Sequence, residues 1–158
     1  MKSDSDVLHE VRTAFAARVR PEHFTNFAHC EECAEHDELL RSRDVDSLSL
    51  PDVGNPGWDP ICFITPPGFA YYLPALARLV LDSEESDAVS WYGSQLFFHL
   101  CSDGADNARV KECSIAERNA VAGLLRHIAE TRADLIDRSL SADQLFEALR
   151  YWDENQSA

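Results

Sequence analysis

All seven prolines of this chain lie at or before Pro74, and positions 75–158 contain none. Proline removes a backbone donor and its ring collides with the preceding helical turn, which costs about 3 kcal/mol inside a helix. The distribution therefore divides the sequence. The second half is free to be continuously helical, and loops must collect in the first.

Helix signals recur on both sides of that divide. Val7, Leu8, Val11, Phe15 and Val19 fall on one helical face behind an Asp/Ser-rich cap and ahead of Pro21. A second helix is expected from about His29 to Ser42. SLSLPDVGNPGWDP reads as an irregular loop, and ICFI after it as an extended segment with no partner strand. Thr65-Pro66-Pro67-Gly68 has the form of an N-cap with proline in the first turn. Phe69, Tyr72, Leu73, Leu76, Leu79 and Val80 form the stripe behind it, and Pro74 is expected to kink or divide that helix. Ser86 is positioned to cap a helix carrying Val89, Tyr92, Leu96 and Leu100 that ends by Gly104. Ser114 with Glu117, and Ser141 with Gln144, have capping-box spacing ahead of two more apolar stripes, the second carrying Leu145, Leu149 and Trp152.

Period-two alternation is nowhere sustained, so the sequence predicts an all-α fold. We expect a single compact helical domain of five to seven helices over residues 1–158. A long Pro/Gly-rich loop belongs in its first half, and frayed ends near 1–4 and 154–158. A chain of this length buries roughly two-thirds of its unfolded surface, enough for a self-sufficient core.

Charge narrows the function. Twenty-eight acids against 14 bases leave a net charge of −14. Such a surface repels a nucleic-acid backbone and an anionic membrane, and its field favours a basic partner. A solvated acidic coat that keeps the protein soluble is the plainer reading. The longest apolar run, FAYYLPALARLVL, is broken by Pro74 and Arg78, short of the roughly 18 residues a membrane span needs. MKSDSDVLHE does not have the form of a signal peptide, so a cytoplasmic location is expected. Five cysteines, an odd number, do not suggest a disulfide framework.

Three stretches carry a resemblance. Cys30-Glu31-Glu32-Cys33, then FITPPGFAYYLPAL, then ERNAVAGLLRHI followed by ALRYW are similar to a family of small, mostly helical bacterial proteins known only as a domain of unknown function. The likeness runs from about Val7 to Trp152. It implies that the Cys-x-x-Cys element and the aromatic-then-proline helix are family features, and it implies no activity, cofactor or catalytic residue.

The stretch AHCEECAEHDE at 28–38 holds the main chemical candidates. His29, Cys30, Cys33 and His36 fall within an arc of roughly 120° on a straight helix. Two or three of them can reach one zinc ion, but a tetrahedral set needs a donor from elsewhere, such as His23 or Cys62. A redox pair is disfavoured by Glu31, Glu32, Glu35 and Asp37, which oppose the thiolate, and by the lack of a βαβ pattern. The plainer reading places Cys30, Cys33 and Leu40 on a core stripe, with Glu31, Glu32, Glu35 and His36 on the wet side.

Elsewhere, His99 and His127 read as core or boundary histidines. Asp103, Asp106 and Glu112 miss calcium-loop spacing. Trp58, Phe69 and Tyr71 are candidates to line a partner groove, against the plainer account that they fill the core. On sequence, the best-supported role is a non-enzymatic acidic interaction module, immunity- or antitoxin-like, that docks a basic partner. The alternatives are a zinc site at Cys30 and Cys33, and a hydrolase-type or redox enzyme using His36 with Glu32 or Glu35.

Overall fold

The helix that follows Thr65 is apolar on nearly every side, and helices from both halves of the chain pack against it. The computed structural model describes residues 1–83 and 91–153. Its helices are α1 (Asp4–Phe15), α2 (Glu31–Arg41), α3 (Leu50–Val53), α4 (Pro66–Asp82), α5 (Gly93–Cys101), α6 (Ala108–Glu112), α7 (Ile115–Thr131), α8 (Ala133–Arg138) and α9 (Ala142–Trp152). Six of them, α1, α2, α4, α5, α7 and α9, have nine residues or more, and the other three are one- to two-turn connectors. The fold is all-α. Among the described residues the only β-type pairing is a single bridge between Thr25 and Ile64.

Helix α4 occupies the centre because twelve of its residues, from Gly68 to Leu81, are buried. A helix apolar all round can be satisfied only by neighbours on every side. Helices α1, α5 and α6 pack against it, α7 packs on α1, and α9 packs on both α5 and α7. Each large side chain buried there contributes roughly 1.5–3 kcal/mol. One continuous cluster runs from Val7 to Trp152 and includes Tyr72, Trp91 and Tyr92. The Trp152 indole also donates to the Leu100 carbonyl at 2.8 Å, fastening α9 to α5.

The caps follow the local sequence closely. Ser3 and Asp6 form a reciprocal box at the start of α1, as do Ser114 and Glu117 at the start of α7. Thr65 accepts from the Gly68 amide and opens α4. Gly93 begins α5 under the Trp91 indole, where a Cβ would lie 2.3 Å from the ring.

Four expectations need correction. Helix α1 stops at Phe15, so Val19 leaves the stripe and is 85% exposed. Pro74 does not divide α4, one of the two outcomes expected of it: it removes the donor to the Ala70 carbonyl, yet the helix runs unbroken from Pro66 to Asp82. ICFI is not extended, because Pro60–Cys62 is a 3₁₀ turn and only Ile64 pairs, with Thr25. Ser141 makes no capping box. Its amide donates to Ile136 and that of Leu140 to Asp137, so it is already engaged in closing α8 through a left-handed Leu140 (φ 55°). At the N-terminal end, the Asp4 carboxylate is held by Arg132 at 2.6 Å and His127 at 2.6 Å. The Ser86 cap and Val89 lie outside the described residues, as do positions 154–158.

Candidate functional site

The approach to α2 is set by one buried carboxylate. Asp37 accepts from the Phe24 amide at 2.6 Å and the Thr25 amide at 3.2 Å, and bonds His23 Nδ1 at 2.7 Å. Burial opposes its ionisation, but those three bonds outweigh it and hold the carboxyl below its usual range. The Thr25 hydroxyl donates to the Cys33 carbonyl at 2.6 Å, and the Thr65 amide to the Phe24 carbonyl at 2.7 Å. The chain entering α2 is thus tied both to the helix it precedes and to α4.

That arrangement brings three ligand-type side chains together. Cys30 is the N-cap of α2 in extended conformation, and its Sγ accepts from the Cys33 amide at 3.4 Å. His29 Nδ1 lies 3.7 Å from Cys33 Sγ, and donor atoms of His29, Cys30 and Cys33 all fall within 4.8 Å of one another. Cys30 and His29 are exposed while Cys33 is buried. The two thiols are shifted in opposite directions. The Cys33 amide, and then the His29 ring, lower Cys30, while the hydrogen bond with Cys30, and then burial, raise Cys33.

His36 does not join them. It is fully buried, stacks on Phe63 with ring centroids 4.9 Å apart, and tilts against Trp58 at 4.7 Å. Its Nε2 lies 3.4 Å from Glu32 Oε1. The sequence reading that put His36 on the wet side is therefore corrected, and so is its membership of the donor set. Cys30 is likewise not core, whereas Cys33 and Leu40 are. His23 is engaged with Asp37, and Cys62 lies in a different group.

That second group is Asp59, Cys62 and His99, which sequence inspection did not connect. Asp59 caps the 3₁₀ turn, with Oδ1 accepting from the Ile61 amide at 2.9 Å. Its Oδ2 accepts from Gln95 at 3.1 Å and bonds His99 Nε2 at 2.7 Å. Asp59 and His99 are both buried, and a ligand atom of each lies within 4.8 Å of Cys62 Sγ. Cys62 keeps solvent access, yet partial desolvation, and then the Asp59 charge, push its thiol up. Two pockets of about 250 and 410 Å³ share Cys62, Phe98 and His99 as wall. Arg109, in the wall of the larger, donates to the Ile61 carbonyl at 2.6 Å and the His99 carbonyl at 3.0 Å. Asp59 followed by Pro60 is a local cap signal that the loop reading passed over. The partner on α5 gives no such signal.

Of the groove candidates, Trp58 is 43% exposed and stands beside Phe63 over His36. Tyr71 is half-buried and accepts from Arg20 at 3.1 Å. Phe69 is fully buried under the Arg109 guanidinium, 4.5 Å from its ring centroid, so it presents nothing to a partner. None of the helices among the described residues is long and apolar enough to cross a membrane.

No family model, curated protein or solved structure matches the chain.

Proposed function

We propose that this protein binds a thiophilic divalent ion, zinc foremost, through His29, Cys30 and Cys33 at the start of α2. The observation that carries this reading is the convergence of their donor atoms within 4.8 Å. Zinc bonds of about 2.3 Å to sulfur and 2.0–2.1 Å to nitrogen set a tetrahedral S···N edge near 3.6 Å. The 3.7 Å between His29 Nδ1 and Cys33 Sγ fits that edge with little movement. The lowered Cys30 thiol favours the thiolate an ion requires. Three donors leave a fourth position for water or for a donor from a partner, because His36 lies buried against Trp58 and Phe63 instead.

Protein purified without chelator or affinity-tag metal tests this. About one zinc per chain is expected, with melting lowered by chelator, and Cys30→Ser with Cys33→Ser together abolish both. Metal-free protein whose melting ignores both zinc and chelator would overturn the reading.

A second reading, docking of a basic partner in an immunity- or antitoxin-like role, is favoured by the exposed Glu31, Glu35 and Glu38 along the outside of α2. They add to a net charge of −14 beside the same donors. Pull-down at low and high salt tests it: salt-sensitive capture of a partner, weakened when the three glutamates become glutamine, is expected. No stable salt-sensitive partner would count against it.

A further inference from the structure

The Asp59–His99 pair is satisfied without any ion. At 2.7 Å the two atoms are at hydrogen-bond distance, and Asp59 takes two further donors. With Nε2–H turned to the carboxylate, the imidazole keeps its lone pair on Nδ1. A buried Asp–His pair of this kind is often only a staple. Two observations set this one apart. A third, chemically different group, the Cys62 thiol, has its Sγ within 4.8 Å of one ring nitrogen of His99 and one carboxylate oxygen of Asp59. Cys62, His99 and Phe98 belong to the walls of both adjoining pockets, so a small molecule entering either one lies beside the residues that carry thiol and imidazole.

We propose that Cys62 is a nucleophile with His99 as its base, acting on a small ester or thioester held in this double pocket. Asp59 is a positioning residue: it fixes the tautomer and orientation of the ring and touches no substrate. Because the Cys62 thiol is raised, it is protonated at neutral pH and requires a base at the moment of attack. As Sγ adds to the acyl carbon, its proton passes to His99. The C–O or C–S bond then breaks, and the leaving alkoxide or thiolate takes that proton back. Water, deprotonated by His99, attacks the acyl-Cys62 thioester, releasing the carboxylic acid and restoring the thiol. The sum is ester plus water to acid plus alcohol, or thioester plus water to acid plus thiol. Phe98, about half exposed at the rim, supplies apolar surface for the acyl chain. Arg109, bonded to the Ile61 and His99 carbonyls, adds a positive charge to the wall of the larger pocket.

The test is p-nitrophenyl acetate with the full-length protein, reading nitrophenolate release and mapping acetyl groups by mass spectrometry. Cys62 is expected to acetylate in a burst of about one equivalent per chain. Cys62→Ala, a substitution at a solvent-accessible position, abolishes the burst, and His99→Gln slows it about 100-fold or more. Asp59→Asn slows it, and Asp59→Glu restores part of the rate, which a merely structural role would not do. Should the His99 variant fail to fold, the native chain supplies the control. Cys101 is a half-buried thiol, also raised, outside this group. Acetylation of Cys62 no faster than Cys101, or a full burst surviving in Cys62→Ala, overturns the proposal.

Discussion

Asp59 Oδ2 and His99 Nε2 meet at 2.7 Å although they are 40 residues apart, one on a 3₁₀ turn and the other on α5. The pair anchors the first-half loop to a helix of the second half. Asp59→Asn keeps an oxygen for the Ile61 amide but confronts Gln95 and His99 with a second donor. A loss of about 2–4 kcal/mol is expected in urea unfolding. A loss under about 0.5 kcal/mol would show that the pair is not a structural anchor.

Leu140 closes α8 in the left-handed region and is almost wholly exposed, so its side chain contributes strain and little packing. Leu140→Gly is expected to stabilise by about 0.5–1 kcal/mol, read as a raised melting temperature. Lower stability would mean that the unfolded-state entropy of glycine outweighs the relief.

Arg18 lies in the segment after α1 and reaches the start of α7, bonding Glu117 at 2.8 and 3.0 Å and Glu112 at 2.7 Å. Glu117 is buried and belongs to the α7 capping box. Arg18→Ala strands that carboxylate, and about 2 kcal/mol of stability should be lost. Arg18→Ala combined with Glu117→Gln should recover part of it, which a double-mutant cycle measures.

The Asp4 carboxyl, held first by its hydrogen bond to Arg132 and also by His127, is lowered from 3.8 to about 2. A depressed folded value stabilises the native state above the unfolded value, and that stabilisation disappears as pH falls through the folded one. With Asp4 nearly half exposed, solvent screening reduces the contribution to about 1 kcal/mol. Native stability should therefore fall between about pH 4 and pH 2, and Asp4→Asn should flatten that part of the curve. An unchanged profile in the variant would contradict the assignment.

The thiols should label in a definite order. Burial, and then Glu117, push Cys113 up to about 12, so iodoacetamide at pH 8 is expected to leave it untouched in the native protein. Cys30, exposed and lowered, should react first, and added zinc should protect it. Labelling of Cys30 at the same rate with and without zinc would count against ion binding there.

Local physics was readable before the structure. The Asp/Ser-rich cap of α1, the box at Ser114, the Thr65 cap and the stripe of α4 depend on residues within one helical turn, and all formed. What sequence did not reveal depended on a neighbour elsewhere in the chain. Ser141 had the right spacing for a box, but its amide was already committed to Ile136. His36 looked wet among glutamates, yet Trp58 and Phe63 cover it from the following loop. The convergence of His29 with the two cysteines was half visible, because they stand at most four positions apart. Asp59, Cys62 and His99 share no spacing at all, and only the packing of a 3₁₀ turn on α5 brings them together.

Helix α2 carries the proposed donors at one end and is moored at the other. The Tyr72 hydroxyl lies 2.5 and 2.8 Å from the Leu40 and Arg43 carbonyls, and Arg20 donates to the Arg41 carbonyl at 2.7 Å. Capture of an ion cannot swing such a helix as a lever. It can only quieten the short stretch from Asn26 to Cys30, so the loaded state should differ from the empty one in slower amide exchange there rather than in shape.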